Sequence, residues 1–217
     1  DKLAGFESAT LGDWMDRALG VADDPDPAAG AFAADASASE LRLAGFGYAV
    51  NSLHYQKGSA VVAFRQDLVS AWEQGAALAG YWGHGAADRL GDEDFLPIED
   101  PSTRIDIAGL TNAPRLPILV GMTCYAGNDA FPGFTAVAAA LVTNPVGGAV
   151  AALMPTGLSL HQSAVTLGDH AFDLLAGERV TVGEADREAK ARAAADGAAA
   201  WELDLFQLSG EPWLRLP

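Results

Sequence analysis

The sequence predicts an α/β fold with a mostly parallel sheet covered by helices on both faces. Three observations carry that reading. Short apolar runs alternate with stretches of helical period, the pattern of strand–crossover–strand units. The runs stop abruptly at glycine, proline or acidic residues, as buried strands do. The 217 residues are 50% hydrophobic, ample for the core of one large domain and a tight fit for two.

Residues 1–17 read as a lead-in helix or linker in which Trp14 and Met15 are available to pack, and residues 18–217 as the domain proper. Ala18 to Ala22 is a first strand, cut off by Asp23-Asp24-Pro25-Asp26-Pro27, where prolines and acids forbid both helix and strand. Asp35 or Ser37 is placed to cap a helix carrying Leu41 and Leu43, which Gly45-Phe46-Gly47 ends. A second strand follows from Tyr48 to His54. Val62, Phe64, Leu68, Ala71 and Trp72 recur at helical spacing up to a stop at Gly75, and Ala77 to Trp82 is the third strand.

Residues 86–115 are rich in Asp, Gly and Pro, with at most a helical turn near Asp106 to Leu110. A long irregular connection inside a domain is usually functional. Pro117 to Thr123 is the fourth strand, Phe134 to Val142 a helix face, and Gly148 to Met154 the fifth strand. Helices are expected over about residues 159–176 and 183–198, where Arg187, Lys190 and Arg192 interrupt an alanine-rich patch. The alternating tail from Trp201 to Leu208 suits a last strand or cover.

A formal net charge of -16 sets the chain against phosphate backbones and anionic membranes, so nucleic acid is not an expected partner. The acids are scattered and read as a solvated surface. One cysteine cannot form an internal disulfide. No run approaches the roughly 20 apolar residues of a membrane span. The first residues lack the basic and apolar blocks of a signal peptide. The chain starts at Asp1 without methionine, which reads as a processed form or a piece of a longer protein and leaves the compartment open.

In an open parallel sheet, ligands bind in the crevice outside the carboxyl ends of the strands. Two run-ends there carry chemistry: Gly83-His84-Gly85 after the third strand and Thr123-Cys124-Tyr125 after the fourth. A thiol attacks as its thiolate, and a neighbouring imidazole favours that form and can later protonate a leaving amine. The backbone amides of Gly85 and Cys124 could point into one oxyanion hole. Taken alone, a free cysteine is most often a small buried hydrophobe and a single histidine a structural residue. Their joint placement is what points to chemistry. His54, His161 and His170 have ordinary structural explanations and receive no role. A single cysteine and scattered histidines offer no closely spaced zinc ligands, so no catalytic metal or organic cofactor is expected. The oxygens of Asp23 to Asp26 suit a structural calcium ion, although no EF-hand spacing is present.

Trp82-Gly83-His84-Gly85, then Leu110-Thr111-Asn112, Leu116-Pro117 and Thr123-Cys124-Tyr125-Ala126-Gly127, together resemble the gingipain-type cysteine peptidases, family C25 of the caspase-like clan. The likeness continues through Ala140-Leu141-Val142, Gly147-Gly148-Ala149-Val150 and Thr156-Gly157. It ends at Gly210-Glu211-Pro212, where Glu stands for the family's Asp. The resemblance implies a caspase-like three-layer α/β/α sandwich and a cysteine endopeptidase with Cys124 as nucleophile and His84 as general acid/base. It implies an acid near the histidine, for which Asp24 is the nearest counterpart and Asp23 an alternative. Trp82, Met122, Thr156 and Gly157 become substrate-binding residues on the same grounds, with the segment from Met154 to His161 forming a wall of the S1 pocket. Asp35 matches the acid at the base of that pocket in arginine-specific members. Its plain reading is a helix N-cap, and only if it lines the pocket does a basic P1 residue follow.

The same resemblance implies a polypeptide substrate, a secreted or cell-surface bacterial-type protein, and a further subdomain ahead of this one. A second reading keeps the fold and drops the chemistry, making the chain a catalytically silent binding or scaffold module. An α/β hydrolase lacks support, because no Gly-x-Ser-x-Gly elbow is present.

Overall fold

Strands buried on both faces sort their side chains by parity, and that sorting builds this molecule. The computed structural model describes residues 2–9 and 12–216; Asp1, Thr10 and Leu11 of the expected lead-in, and Pro217, lie outside the described residues. In chain order come α1 (Lys2–Glu7), a 3-10 turn (Asp13–Asp16), β1 (Arg17–Ala22), α2 (Phe32–Gly45), β2 (Ala49–His54), α3 (Val61–Gln74) and β3 (Leu78–Trp82). Three small strands follow: β4 (Gly85–Ala86), β5 (Arg89–Leu90) and β6 (Leu96–Pro97). The chain continues through β7 (Ile118–Met122), α4 (Val137–Thr143), β8 (Ala151–Pro155), α5 (His161–Phe172), α6 (Val182–Ala195), α7 (Ala200–Leu203) and β9 (Phe206–Gly210).

The main sheet has the order β2-β1-β3-β7-β8-β9, with β9 antiparallel to β8 and the other neighbours parallel. Ala18, Ala22, Leu78, Trp82, Val120 and Met122 face one core, which Phe32 and Leu43 of α2, Leu167 and Phe172 of α5, and Ala185 of α6 complete. Leu19, Val21, Ala79, Tyr81, Leu119 and Met154 face the other, closed by Leu68 and Trp72 of α3 and Val137 and Leu141 of α4. The result is the three-layer α/β/α sandwich expected from the sequence.

β1 lies between β2 and β3, and the crossovers through α2 and α3 run over opposite faces. The strand order therefore reverses at β1, which opens a crevice at the carboxyl ends of β1 and β3.

Several local expectations change. The lead-in is part of the fold: Phe6 and Trp14 are buried in the first core with their rings 5.9 Å apart. α2 starts at Phe32 behind an Ala31 N-cap that has no side-chain cap bond, so neither Asp35 nor Ser37 caps it. The connection at 86–115 holds a three-stranded antiparallel sheet, β4-β5-β6. It also holds the expected turn, over Ile107–Gly109, capped by the Asp106 carboxylate that accepts the Gly109 amide at 2.7 Å. α4 begins only at Val137, because the Asp129 carboxylate accepts the Ala136 amide and holds the preceding loop apart. Among the described residues, no helix is long and apolar enough to cross a membrane.

Candidate active site

Backbone hydrogen bonds carry the ladder one step beyond the strands at the crevice. The Asp23 amide donates to Trp82 O at 2.9 Å, the Gly83 amide to Met122 O at 3.2 Å and the Tyr55 amide to Ala22 O at 2.8 Å. The segments that follow β1, β3 and β7 thus leave the sheet side by side.

His84 is held at its main chain first. Its amide donates to Asp23 Oδ2 at 3.2 Å, and its carbonyl accepts both the Tyr81 hydroxyl at 2.6 Å and the Gly91 amide at 2.9 Å. Asp23 is buried, and that burial pushes its carboxyl up to about 6, against the opposing pull of the Asp24 and His84 amides. The imidazole meets Asp26, with Nε2 3.2 Å from Oδ2, and stands edge-on to the Phe32 ring at 5.1 Å. Asp26 also accepts the Ala28 amide at Oδ1, and its main chain exchanges two bonds with Gly30, which folds the loop back over the histidine. The Ala28 amide, and then His84, hold the Asp26 carboxyl below its usual range. Because a carboxylate only accepts, Nε2 is the donor in this contact, and Nδ1 is the ring nitrogen that Asp26 leaves unengaged.

Cys124 is the second residue beyond β7. It is half-buried, and its thiol donates to Ser159 O at 3.8 Å. Tyr125 follows with φ 56°, turning the chain sharply, and its amide donates to Gly157 O at 3.0 Å. Gly85 allows the histidine loop to close on the cysteine loop: a Cβ there would lie 2.3 Å from Thr123 Oγ1 and 3.2 Å from Cys124 O. The His84–Gly91 bond makes Gly85 and Leu90 a pair whose own amides point away from each other, so the Gly85 N–H is free of the β4–β5 ladder. His84 and Cys124 line one cavity of about 250 Å³, with Ala28, Ala29 and Phe32 from the β1 side and Leu158 to His161 from the β8 side. All four walls come from carboxyl ends of parallel strands.

Of the residues singled out in the sequence, the cavity brings together His84, Cys124 and Met122, with Gly85 alongside. The rest stand elsewhere. Trp82 is fully buried and packs against Phe172, because its parity in β3 aims it into the α2/α5 core. Thr156 spends its amide and hydroxyl on Leu205 O, and the Gly157 carbonyl takes the Tyr125 amide; both brace the wall that Leu158 to His161 forms. Asp24 faces Lys57, while Asp26 is the acid at the imidazole and Asp23 the acid at the His84 amide. Asp35 is absent from the cavity lining and bonds His161 instead, Oδ2 to Nε2 at 2.8 Å.

Residues missed in the sequence include Asp26 and Phe32, and also Glu202, which is fully buried and accepts the Leu160 amide; His161 stood in the expected wall segment but received no role of its own. His161 opens α5, beyond the loop that follows β8. Nothing local marked Glu202.

A second cavity of about 190 Å³ on the far side of His84 is acidic. Among the described residues, Asp23, Asp24 and Glu93 each bring a carboxylate oxygen within 4.8 Å of the others. These three, more than the Asp23–Asp26 run, would be the ones to meet a hard cation, since Asp26 turns to the imidazole.

A family model described as Peptidase family C25 matches residues 1–217. No curated protein matches the sequence. Among solved structures, the complex of Porphyromonas gingivalis RgpB pro- and mature domains superposes with a TM-score of 0.82 at 20% identity, covering 99% of this chain and 52% of that one. The Arg specific cysteine proteinase gingipain R (RGPB) gives 0.82 at 19% identity, with 99% and 51% coverage. A third structure, titled Structure of Protease, gives 0.74 at 15% identity, with 100% and 52% coverage. The chain therefore shares their fold and spans about half their length.

Proposed function

Because this chain belongs to peptidase family C25, we propose that it carries the machinery of a cysteine endopeptidase, with Cys124 as nucleophile and His84 as general acid/base. The observation that supports this most is the single cavity lined by both side chains at the carboxyl ends of adjacent parallel strands. His84 takes the Cys124 thiol proton, the thiolate attacks the peptide carbonyl carbon, and the amides of Gly85 and Cys124 receive the resulting oxyanion. Collapse breaks the C–N bond as His84 protonates the departing amine, leaving a thioester. Water, deprotonated by His84, then attacks the thioester carbonyl and releases the acid and the thiolate. Asp26 orients the ring through Nε2 throughout. None of these steps calls on a cofactor.

The substrate class is polypeptide. The protein is secreted or displayed at the cell surface, and a further module of the same precursor adjoins this chain, in keeping with its span of about half the RgpB structures. The bond from the Cys124 thiol to Ser159 O favours one other reading, a silent module whose thiol is held as a structural donor. Turnover of fluorogenic peptides by the full-length protein, and its loss in Cys124→Ala, tests the first reading. Absence of Cys124-dependent turnover, with Cys124 untouched by a peptidyl electrophile, would leave the second.

A further inference from the structure

We propose that the cavity beside Cys124 takes an uncharged, apolar P1 side chain, and that His161, anchored by Asp35, is the residue that keeps a basic one out; this rests on the peptidase reading above. The walls include Ala28, Ala29, Phe32, Met122, Leu158 and Leu160, the hydroxyl-bearing Thr123 and Ser159 are neutral, and no Asp, Glu, Lys or Arg is among the residues lining the cavity. Two carboxylates stand directly behind lining residues, and both are engaged by an imidazole: Asp35 accepts from His161 Nε2 at 2.8 Å, and Asp26 accepts from His84 Nε2 at 3.2 Å.

His161 is firmly seated between the Asp35 carboxylate and the cavity. Its side chain is 11% exposed. One side rests on Gly30, where a Cβ would fall 2.3 Å from the ring's Cδ2, so only glycine leaves room for it. Another meets Phe32 edge-on at 4.9 Å, and Phe32 in turn stands edge-on to His84. A guanidinium or ammonium entering here would shed water against alkyl groups, neutral hydroxyls and imidazoles, with the Asp35 carboxylate engaged behind His161 and that of Asp26 behind His84. An uncompensated buried charge is far costlier than a buried alkyl chain. A leucine, methionine or phenylalanine side chain gains instead from contact with Phe32, Met122 and Leu158. Leu158 and Leu160, 66% and 57% exposed, supply apolar surface at the rim for such a chain to cover.

The test labels Cys124 of the full-length protein with peptidyl electrophiles that differ only at P1, carrying Leu, Phe, Arg or Lys, and follows adduct formation by intact mass. The Leu or Phe reagent should react about tenfold or more faster than the Arg or Lys reagent. Faster labelling by Arg or Lys overturns the inference and leaves the peptidase reading standing. No Cys124-dependent adduct with any reagent sinks the peptidase reading and this inference with it. His161→Ala should uncover Asp35 and raise the Arg-to-Leu rate ratio about tenfold or more. A cooperatively melting His161→Ala protein with an unchanged ratio removes the screening role. The wild-type comparison needs no variant, so it decides the P1 class by itself.

Discussion

Replacing Asp23 by Asn tests how the acid beneath His84 is held. Asp23 is 1% exposed, with Oδ1 accepting the Asp24 amide at 2.8 Å and Oδ2 the His84 amide at 3.2 Å. Burial raises its carboxyl from 3.8 to about 6, and the nearby Glu93 charge adds to the rise. A raised carboxyl pKa means that the folded chain holds this proton more tightly than the unfolded chain does. The stability so conferred is full below about pH 4 and lost as pH climbs through about 6. A rise from 3.8 to about 6 corresponds to about 3 kcal/mol.

Asparagine has nearly the same shape and does not ionise, so this position becomes independent of pH in the variant. The unfolding free energy of Asp23→Asn relative to wild type should therefore improve by about 3 kcal/mol between pH 4 and pH 7.5. Any constant offset from altered hydrogen bonds cancels in that difference. Urea titrations of both proteins in the presence of a chelator, at several pH values across the window, measure it. Parallel curves for the two proteins would refute the reasoning, and so would a gap that moves the other way.

Gly85→Ala forces a Cβ to within 2.3 Å of Thr123 Oγ1 and displaces the Gly85 amide, so kcat should fall about a hundredfold. An unchanged kcat for fluorogenic peptides removes that amide from the oxyanion hole. Tyr81→Phe deletes the hydroxyl bond to His84 O but leaves that carbonyl the Gly91 amide, which limits the stability loss to about 1 kcal/mol, read as a shift of about 2–4 °C in Tm. Glu202→Ala strips the Leu160 amide of its buried acceptor and loosens the wall between Leu158 and His161, so about 1–3 kcal/mol of stability should go and KM should rise more than kcat falls.

The sheet was legible because strands buried on both faces are nearly continuous apolar runs, and Asp, Gly and Pro mark where each one stops. His84 and Cys124 were legible for the same reason: each stands just past such a run, and parallel strands end together. The acid at the imidazole was not. Asp26 reaches it only because the Asp26–Gly30 turn folds the loop back, a geometry that depends on side-chain bonds to nearby amides and not on residue type. Asp35 was misjudged because α2 starts without a polar cap, at an alanine that gives no signal. Trp82 drew attention by its place in a motif, while its parity in β3 had already assigned it to the core. Glu202 lies far along the chain from Leu160, and only the folded form brings them together.

The extra rungs that tie Asp23 to Trp82 and Gly83 to Met122 bear on how this protein loses its shape. They make the first residues of the site loops a continuation of the central ladder, so parting the Asp23, His84 and Cys124 segments from one another means opening the sheet between β1, β3 and β7. Fraying at the edges, where β2 and β9 each have a single neighbour, leaves that centre closed. The amide of Asp23 should then exchange its hydrogen only in the rare openings that unfold the whole domain, and catalytic competence in urea should vanish at the same midpoint as the backbone circular dichroism signal.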